Sequence, residues 1–296
     1  YVKRHNILFN KSRFADLVPV NAYADGKFFC EGDRSYIGAV WVGTPLIGAD
    51  DSTVDMLRSA LSGDTPADTI LQFSYVSSSF IDTILGYYAK QRLDIKQKNS
   101  GLTDSQKDTM YEAYRRRFDL LQGSASKAMV KSTGVLTKNT WLIISVKIPV
   151  SKSGNERELE AVEAAMVRFE QAFTTIGFNP SRLNATQYMQ FIRSILMMGK
   201  APEAWYDDDN LIREQVLAPD TDMESKKDVV EFDCAGEKYY VRSLSATTFP
   251  KHTSLAVMNQ LIGDPLGSHN QIPDPFMITT TVYFPDQSKK LAEIRK

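Results

Sequence analysis

The alternation of apolar and polar positions predicts that the chain opens with a β-hairpin. Asp25-Gly26 lies between two apolar stretches within residues 17–43, and this dipeptide favours a tight two-residue turn. The second arm is predicted at residues 35–42, which are rich in β-branched and aromatic side chains. The first part of the chain therefore starts with strands, not with a helix.

Helix starts are marked by residues that can cap the first turn. Ser52, with Asp55 three residues later, predicts a capped helix, and Thr103 with Gln106 predicts a second one. Between them, residues 70–76 alternate as a half-buried strand does. This second helix is predicted to place four side chains in a row, at Met110, Tyr114, Phe118 and Leu121.

The middle of the chain predicts one strand followed by two helices. Residues 141–150 form the most apolar run, which indicates a strand. Apolar residues then recur at helical spacing, at Leu159, Val162, Met166, Phe169, Phe173 and Ile176. Gly177 is predicted to end this helix, and another is predicted at residues 185–198, started by Asn184.

Residues after 198 change character before the early pattern returns. A helical excursion is predicted at about 178–228, with its polar second half packed by Trp205, Leu211, Ile212 and Val216. A second hairpin is then predicted around Ala235-Gly236, with arms at residues 229–232 and 239–244. A break at Phe249-Pro250 follows, then a helix from Ser254, a strand at 276–284 and a helix from Gln287.

Three landmark pairs lie 205 to 210 residues apart in the same order: Gly26 and Gly236, Pro45 and Pro250, Ile70 and Phe276. Either a hairpin–helix–strand–helix unit is duplicated, or an ordinary α+β chain offers such matches by chance. The predicted fold class is α+β, with mixed or mainly antiparallel sheets and helices packed on one face. Two subdomains are predicted, at residues 1–122 and 123–296.

The composition is that of a globular protein, and the net charge is too small to create a strong electrostatic field around it. It is 43% hydrophobic and 24% charged, with a formal net charge of −1, so no overall field draws it to nucleic acid. The two cysteines, Cys30 and Cys234, make no disulfide framework and no zinc-site spacing, which favours buried thiols in a reducing compartment. The chain begins with Tyr1, and we expect it to be a piece of a longer protein.

No nucleotide-binding or catalytic motif is found in the sequence. A phosphate loop ends in Gly-Lys-Ser/Thr, but Gly26-Lys27 precedes a phenylalanine and Gly199-Lys200 precedes an alanine. The three histidines, His5, His252 and His269, do not pair at metal-ligand spacing. No catalytic, cofactor-binding or metal-binding residue is therefore assigned, and this chain is not expected to be an enzyme.

Two charged clusters still offer alternatives. Asp207, Asp208 and Asp209 form a solvated loop or, in a stand-alone metal-dependent enzyme, a metal site, although the spacing is not that of an EF-hand loop. Arg115, Arg116 and Arg117 form a solvated helix face or a contact with an acidic partner. Binding to nucleic acid through these arginines is a weaker alternative that the near-neutral net charge opposes.

The first part of the chain resembles the TraC family of F-type conjugative transfer proteins, which belong to type IV secretion systems. The similar segments are residues 17–26, 33–38 and 45–49, then the capped helix, the strand at 70–76 and, more loosely, Gly177-Phe178-Asn179-Pro180, Trp205-Tyr206-Asp207 and residues 242–250. The similarity covers most of the chain unevenly. It is carried by spaced residues and not by a catalytic motif.

The resemblance implies a non-catalytic role for this chain in a larger machine. Family members are hexamer-forming cytoplasmic ATPases that energise pilus assembly and DNA transfer, with a RecA-like motor C-terminal to a domain like this one. ATP and Mg²⁺ are then expected in a motor beyond residue 296. The resemblance implies that this part anchors the motor to inner-membrane channel subunits, at the cytoplasmic face of the membrane, and that the full-length protein self-associates.

Overall fold

The computed structural model describes residues 14–46, 48–81, 85–86, 88–90, 101–129, 136–151, 155–197, 203–219, 221–234, 236–244, 248 and 272–286. The α-helices in this part are α1 (Asp51–Ser62), α2 (Asp104–Gly123), α3 (Glu156–Ile176), α4 (Ala185–Leu196) and α5 (Ile212–Gln215), preceded by a 3₁₀ turn at Phe14–Leu17. The strands are β1 (Val20–Ala24), β2 (Lys27–Glu31), β3 (Ser35–Gly43), β4 (Thr69–Ser78), β5 (Asn139–Val150), β6 (Ser181–Arg182), β7 (Thr221–Ser225), β8 (Val230–Cys234), β9 (Glu237–Val241) and β10 (Phe276–Phe284). The α+β class is confirmed.

A large sheet runs in the order β1-β2-β3-β5-β4-β10, with β6 paired to β3. Asp25 and Gly26 both have positive φ, at 48° and 76°, as the predicted two-residue turn between β1 and β2 requires. The arm across this turn is β2, so the predicted arm at 35–42 is instead the third strand, β3. β3 pairs antiparallel with β5 over the whole length of β3, from Ser35 opposite Val150 to Gly43 opposite Leu142.

One face of this sheet carries the main core. Ile37 and Trp41 of β3 point to the same side as their β5 neighbours, and α3 covers them with most of the face predicted from its 3-4 spacing. Leu159, the first residue of that predicted face, is 42% exposed. Phe173 of α3 meets the Trp41 ring edge-on at 5.9 Å and stacks with Phe169. Gly177 ends α3 in the left-handed conformation, with φ at 98°, as predicted.

The opposite face of the sheet carries a second helical layer, so helices do not pack on one face alone. Phe28 of β2 and Tyr36 of β3 are buried there against Met189 of α4, with Ile212 and Val216 in the same cluster. The reason lies in β3 itself, where apolar residues occupy both alternating sets of positions. Such a strand is buried on both faces.

The chain divides into two compact units. The first groups described residues within 1–75, 141–244 and 278–296, and the second those within 76–140 and 245–277. The first unit also contains a separate antiparallel sheet, β7-β8-β9, whose β8–β9 pair confirms the second predicted hairpin. This grouping takes residues from both sides of the division predicted after residue 122, and that division stays a prediction.

Three details of the predicted elements need correction. The cap of α1 is Asp50, whose carboxylate accepts from the backbone N–H of Thr53 at 2.8 Å, and not Ser52. Trp205 does not pack the excursion, because its residue is 77% exposed, whereas Ile212 and Val216 are fully buried. The predicted helical excursion also contains a strand, β7, because its polar sequence pairs with β8 at the edge of the small sheet.

Other predictions fall outside the described residues. These are the break at Phe249-Pro250, the helix from Ser254, the helix from Gln287, Gly199-Lys200 and the three histidines, His5, His252 and His269. The strand at 276–284 is confirmed as β10. Duplication stays a prediction, since the helix predicted from Ser254, in the second copy of the repeat, lies outside the described residues.

Candidate functional site

Helix α2 forms because its start is capped in both directions, as predicted. The backbone N–H of Thr103 donates to Gln106 Oε1 at 2.9 Å, and the N–H of Gln106 donates to Thr103 Oγ1 at 3.3 Å. Asp104 adds a negative charge in the first turn, where the helix dipole favours it. The helix then runs for 20 residues, of which none is buried.

The less exposed side of α2 is aromatic. Tyr114 lies 5.7 Å from the stacked ring of Tyr88 and 6.1 Å from both Tyr111 and Phe118, measured between ring centroids. The predicted row of Tyr114, Phe118 and Leu121 is therefore half-buried. Met110, predicted in the same row, is 45% exposed.

Arg115, Arg116 and Arg117 are all exposed on α2. The Arg116 guanidinium lies 3.7 Å from the Glu112 carboxylate, four residues earlier, which is a weak surface pair. Arg117 shares helical spacing with exposed Met110, Ala113 and Leu120. We call Met110, Ala113, Arg117 and Leu120 the outer stripe; it combines apolar area with a cation, which suits a partner with apolar and acidic side chains.

The aspartate cluster is a closed hydrogen-bonded turn. The carboxylate oxygens of Asp207, Asp208 and Asp209 lie within 4.8 Å of one another, and all three residues are exposed. The Asp207 carboxylate already accepts from the N–H of Asp209 at 3.1 Å and from the Asn210 amide at 2.7 Å. The Gln215 side chain also clamps the Asp207 backbone, accepting from its N–H and donating to its carbonyl. These contacts explain the cluster as loop structure.

Sequence reasoning missed a polar network beside α3. Trp41 Nε1 donates to Glu170 Oε2 at 2.9 Å, and the Arg182 guanidinium donates to the same oxygen at 2.8 Å. Burial raises the pKa of Glu170, but the bonds from Trp41 and Arg182 outweigh it and leave the pKa below its ordinary value. The network borders a groove of about 490 Å³ that Gln171 and Thr174 also line. A buried tryptophan N–H needs an acceptor, and that was the available signal.

The cysteines and the first Gly-Lys pair are structural. Cys30 is 7% exposed, and burial raises the pKa of its thiol to about 11, which makes it unreactive. Cys234 is half-buried and, like Cys30, not in a disulfide. Gly26 lies in the β1–β2 turn and Lys27 begins β2, so this pair is a hairpin turn and not a phosphate loop.

Comparison with known proteins decides the family. The model of the family described as TraC protein matches residues 14–296. The chain belongs to the TraC protein family. Its role is therefore related to conjugative transfer by type IV secretion. A search of curated proteins gives no match. Among the described residues, no helix of the TraC-family chain has the length and apolar character needed to cross a membrane.

Proposed function

We propose that this chain is the docking and assembly module of a conjugative-transfer ATPase. It attaches the motor to inner-membrane subunits of the secretion channel, from the cytoplasmic side, for pilus assembly and DNA transfer. The family match supports the setting, since TraC proteins act in conjugation. The observation that carries the docking role is α2, a helix of 20 residues without a buried residue.

The outer stripe of α2 is the surface that we assign to docking. Met110 and Leu120 are 45% and 58% exposed, and Arg117 lies between them along the helix. Large exposed apolar side chains flanked by arginine are typical of protein interfaces, where arginine is enriched. The partner segment is expected to present apolar side chains and a carboxylate.

The test is a pull-down of the inner-membrane channel subunits with two charge-matched variants. Arg117→Glu reverses a charge on the outer stripe and is expected to weaken capture about tenfold. Arg58→Glu makes the same charge change on α1, where the side chain is 71% exposed, and is expected to leave capture unchanged. Equal capture by both variants and the natural chain would sink the assignment to α2.

The alternative of a stand-alone metal-dependent enzyme at Asp207, Asp208 and Asp209 stays a prediction. Its support is the proximity of the three carboxylates. The docking proposal expects no catalysis by this chain, with ATP and Mg²⁺ chemistry confined to the motor. The two proposals differ in whether this chain binds Mg²⁺ or ATP by itself.

A further inference from the structure

The large sheet ends at β10, which has one neighbouring strand, β4, within the part of the chain that the structure describes. β10 is nine residues long, Phe276–Phe284, and contains no charged residue and no proline. Proteins usually block a long open strand with charges, proline or a covering segment, because its unpaired backbone groups bind another strand. β10 therefore has the properties of a strand that accepts a partner.

The sequence around β10 reads nearly the same in both directions. About Thr280, the matched positions are Thr279 and Thr281, Ile278 and Val282, Met277 and Tyr283, Phe276 and Phe284, Pro275 and Pro285, and Asp274 and Asp286. An antiparallel pair of identical strands places such mirrored positions opposite each other. The prolines at both ends confine the pairing to the strand itself, since proline has no N–H to donate.

The directions of the backbone N–H and C=O groups of β10 agree with a centre of symmetry at Thr280. The carbonyl of Phe284 faces the β4 side, where it accepts from the N–H of Asp68 at 2.6 Å. Because successive residues of a strand direct their N–H and C=O groups to opposite sides, even-numbered residues of β10 face β4. The groups of Met277, Thr279, Thr281 and Tyr283 then face the open edge.

We propose that two copies of this chain pair antiparallel through β10 about a two-fold axis at Thr280. In this register every outward-facing residue meets an outward-facing residue, Thr279 opposite Thr281 of the second copy and Met277 opposite Tyr283 of the second copy. The two residues of each such pair exchange backbone hydrogen bonds. A two-fold axis placed between two residues of β10 would instead set outward-facing backbone groups of one copy opposite residues of the other copy whose backbone groups already face β4.

Side chains across the pair are also compatible. Residues directly opposite share one face of the sheet, so Ile278 meets Val282 of the second copy, and Phe276 meets Phe284 of the second copy. The strand brings no charge into the interface. Asp274 and Asp286 meet only beyond the prolines, where moderate ionic strength screens their repulsion. The contact uses the same surface on both copies, as a closed dimer requires.

Sedimentation equilibrium of the 296-residue chain tests the pairing. The natural chain is expected to form dimers, and Thr279→Pro, which removes one outward N–H from each copy, is expected to raise the dimer dissociation constant at least about tenfold. Thr279→Val is the control, since it loses the same hydroxyl contact with Ser74, at 2.9 Å, but keeps the N–H. A natural chain that is monomeric, or equal dissociation constants for all three proteins, would overturn the proposal.

A charge-pair experiment tests the register and remains informative if Thr279→Pro fails to fold. Thr280 is exposed, and it lies opposite Thr280 of the second copy only in the proposed register. Thr280→Lys and Thr280→Glu are each expected to dimerise about threefold less tightly, and their mixture is expected to form a heterodimer as tight as the natural dimer. A mixture no tighter than the separate variants would contradict the two-fold axis at Thr280. Arg117→Glu leaves this dimer unchanged, so its result is independent of the docking proposal.

Discussion

Arg193 fixes the segment after α4 through its guanidinium. The residue is 6% exposed, and the guanidinium donates to the carbonyls of Gln215, Val216, Glu203 and Leu217 at 2.8, 2.9, 3.0 and 3.3 Å. A guanidinium has enough donors to satisfy several carbonyls that would otherwise be buried without partners. This residue, not Trp205, explains how a polar segment lies against the sheet.

Replacing Arg193 should therefore destabilise the fold. Arg193→Met keeps the aliphatic stem but removes the donors to these carbonyls, and we expect a loss of about 3 kcal/mol in the free energy of unfolding. Arg157→Met, on the exposed side of α3, is the control and should change it by less than about 0.5 kcal/mol. Urea unfolding measures both; similar small losses would contradict the structural role of Arg193.

Glu231 predicts a pH dependence of stability. It is 4% exposed, and its carboxylate accepts from the ammonium groups of Lys226 and of Lys238, the latter at 2.6 Å. These contacts lower its pKa from 4.5 to about 2. Because the folded pKa lies below the unfolded one, the stabilisation is complete above pH 4.5 and is lost as the pH falls towards 2.

The measurement compares the natural chain with Glu231→Gln. The variant carries no carboxylate to protonate at this position. The stability advantage of the natural chain should therefore be largest near neutral pH and should shrink between pH 4.5 and 2. Thermal unfolding across that range reports the difference between the two proteins. A difference that does not vary with pH would show that the ion pairs do not stabilise the fold.

At the scale of elements, the close pairing of β3 with β5 depends on Gly38. A Cβ added there would lie 2.5 Å from the carbonyl oxygen of Val146, closer than real Cβ contacts come. Gly38→Ala should therefore cost about 1–3 kcal/mol of stability. Gly48→Ala, where a Cβ meets nothing within 4 Å, is the matched control, and an equal effect of both substitutions on the unfolding midpoint would contradict this reading.

The elements that sequence predicted best were those with a long period or a specific cap. The 3-4 spacing identified the buried face of α3, and the reciprocal caps at Thr103 and Asn184 identified the starts of α2 and α4. The cap of α1 was predicted wrongly at Ser52 and is Asp50, because both serine and aspartate side chains can cap a helix. β7 was missed because a polar edge strand has little hydrophobic alternation.

The candidate surfaces were harder to predict because they depend on distant residues. The arginines at 115–117 are visible in the sequence, but the exposure of Met110 depends on how α2 packs. Trp41 and Glu170 are 129 residues apart, and the packing of α3 against the sheet brings them together. The near-symmetry of residues 274–286 was readable in the sequence. It pointed to strand pairing between two copies only once the structure placed β10 at the edge of the sheet.

At the scale of the whole molecule, the docking proposal assigns nucleotide chemistry to the motor and not to this chain. Calorimetric titration of the chain with ATP and Mg²⁺, together and separately, should give no saturable heat. Saturable Mg²⁺ binding that is lost in Asp208→Ala would favour the metal-dependent alternative. Saturable ATP binding would contradict the expectation that the nucleotide site lies in another domain.

The most direct test of docking is site-specific photocrosslinking in cells that produce the conjugation machinery. A photoreactive residue replaces Ala113 on the outer stripe, and a control replaces exposed Thr175 on α3. The proposal predicts a crosslinked product between position 113 and an inner-membrane channel subunit, and little or none from position 175. Absence of the product at 113, or equal yields from both positions, would contradict the account.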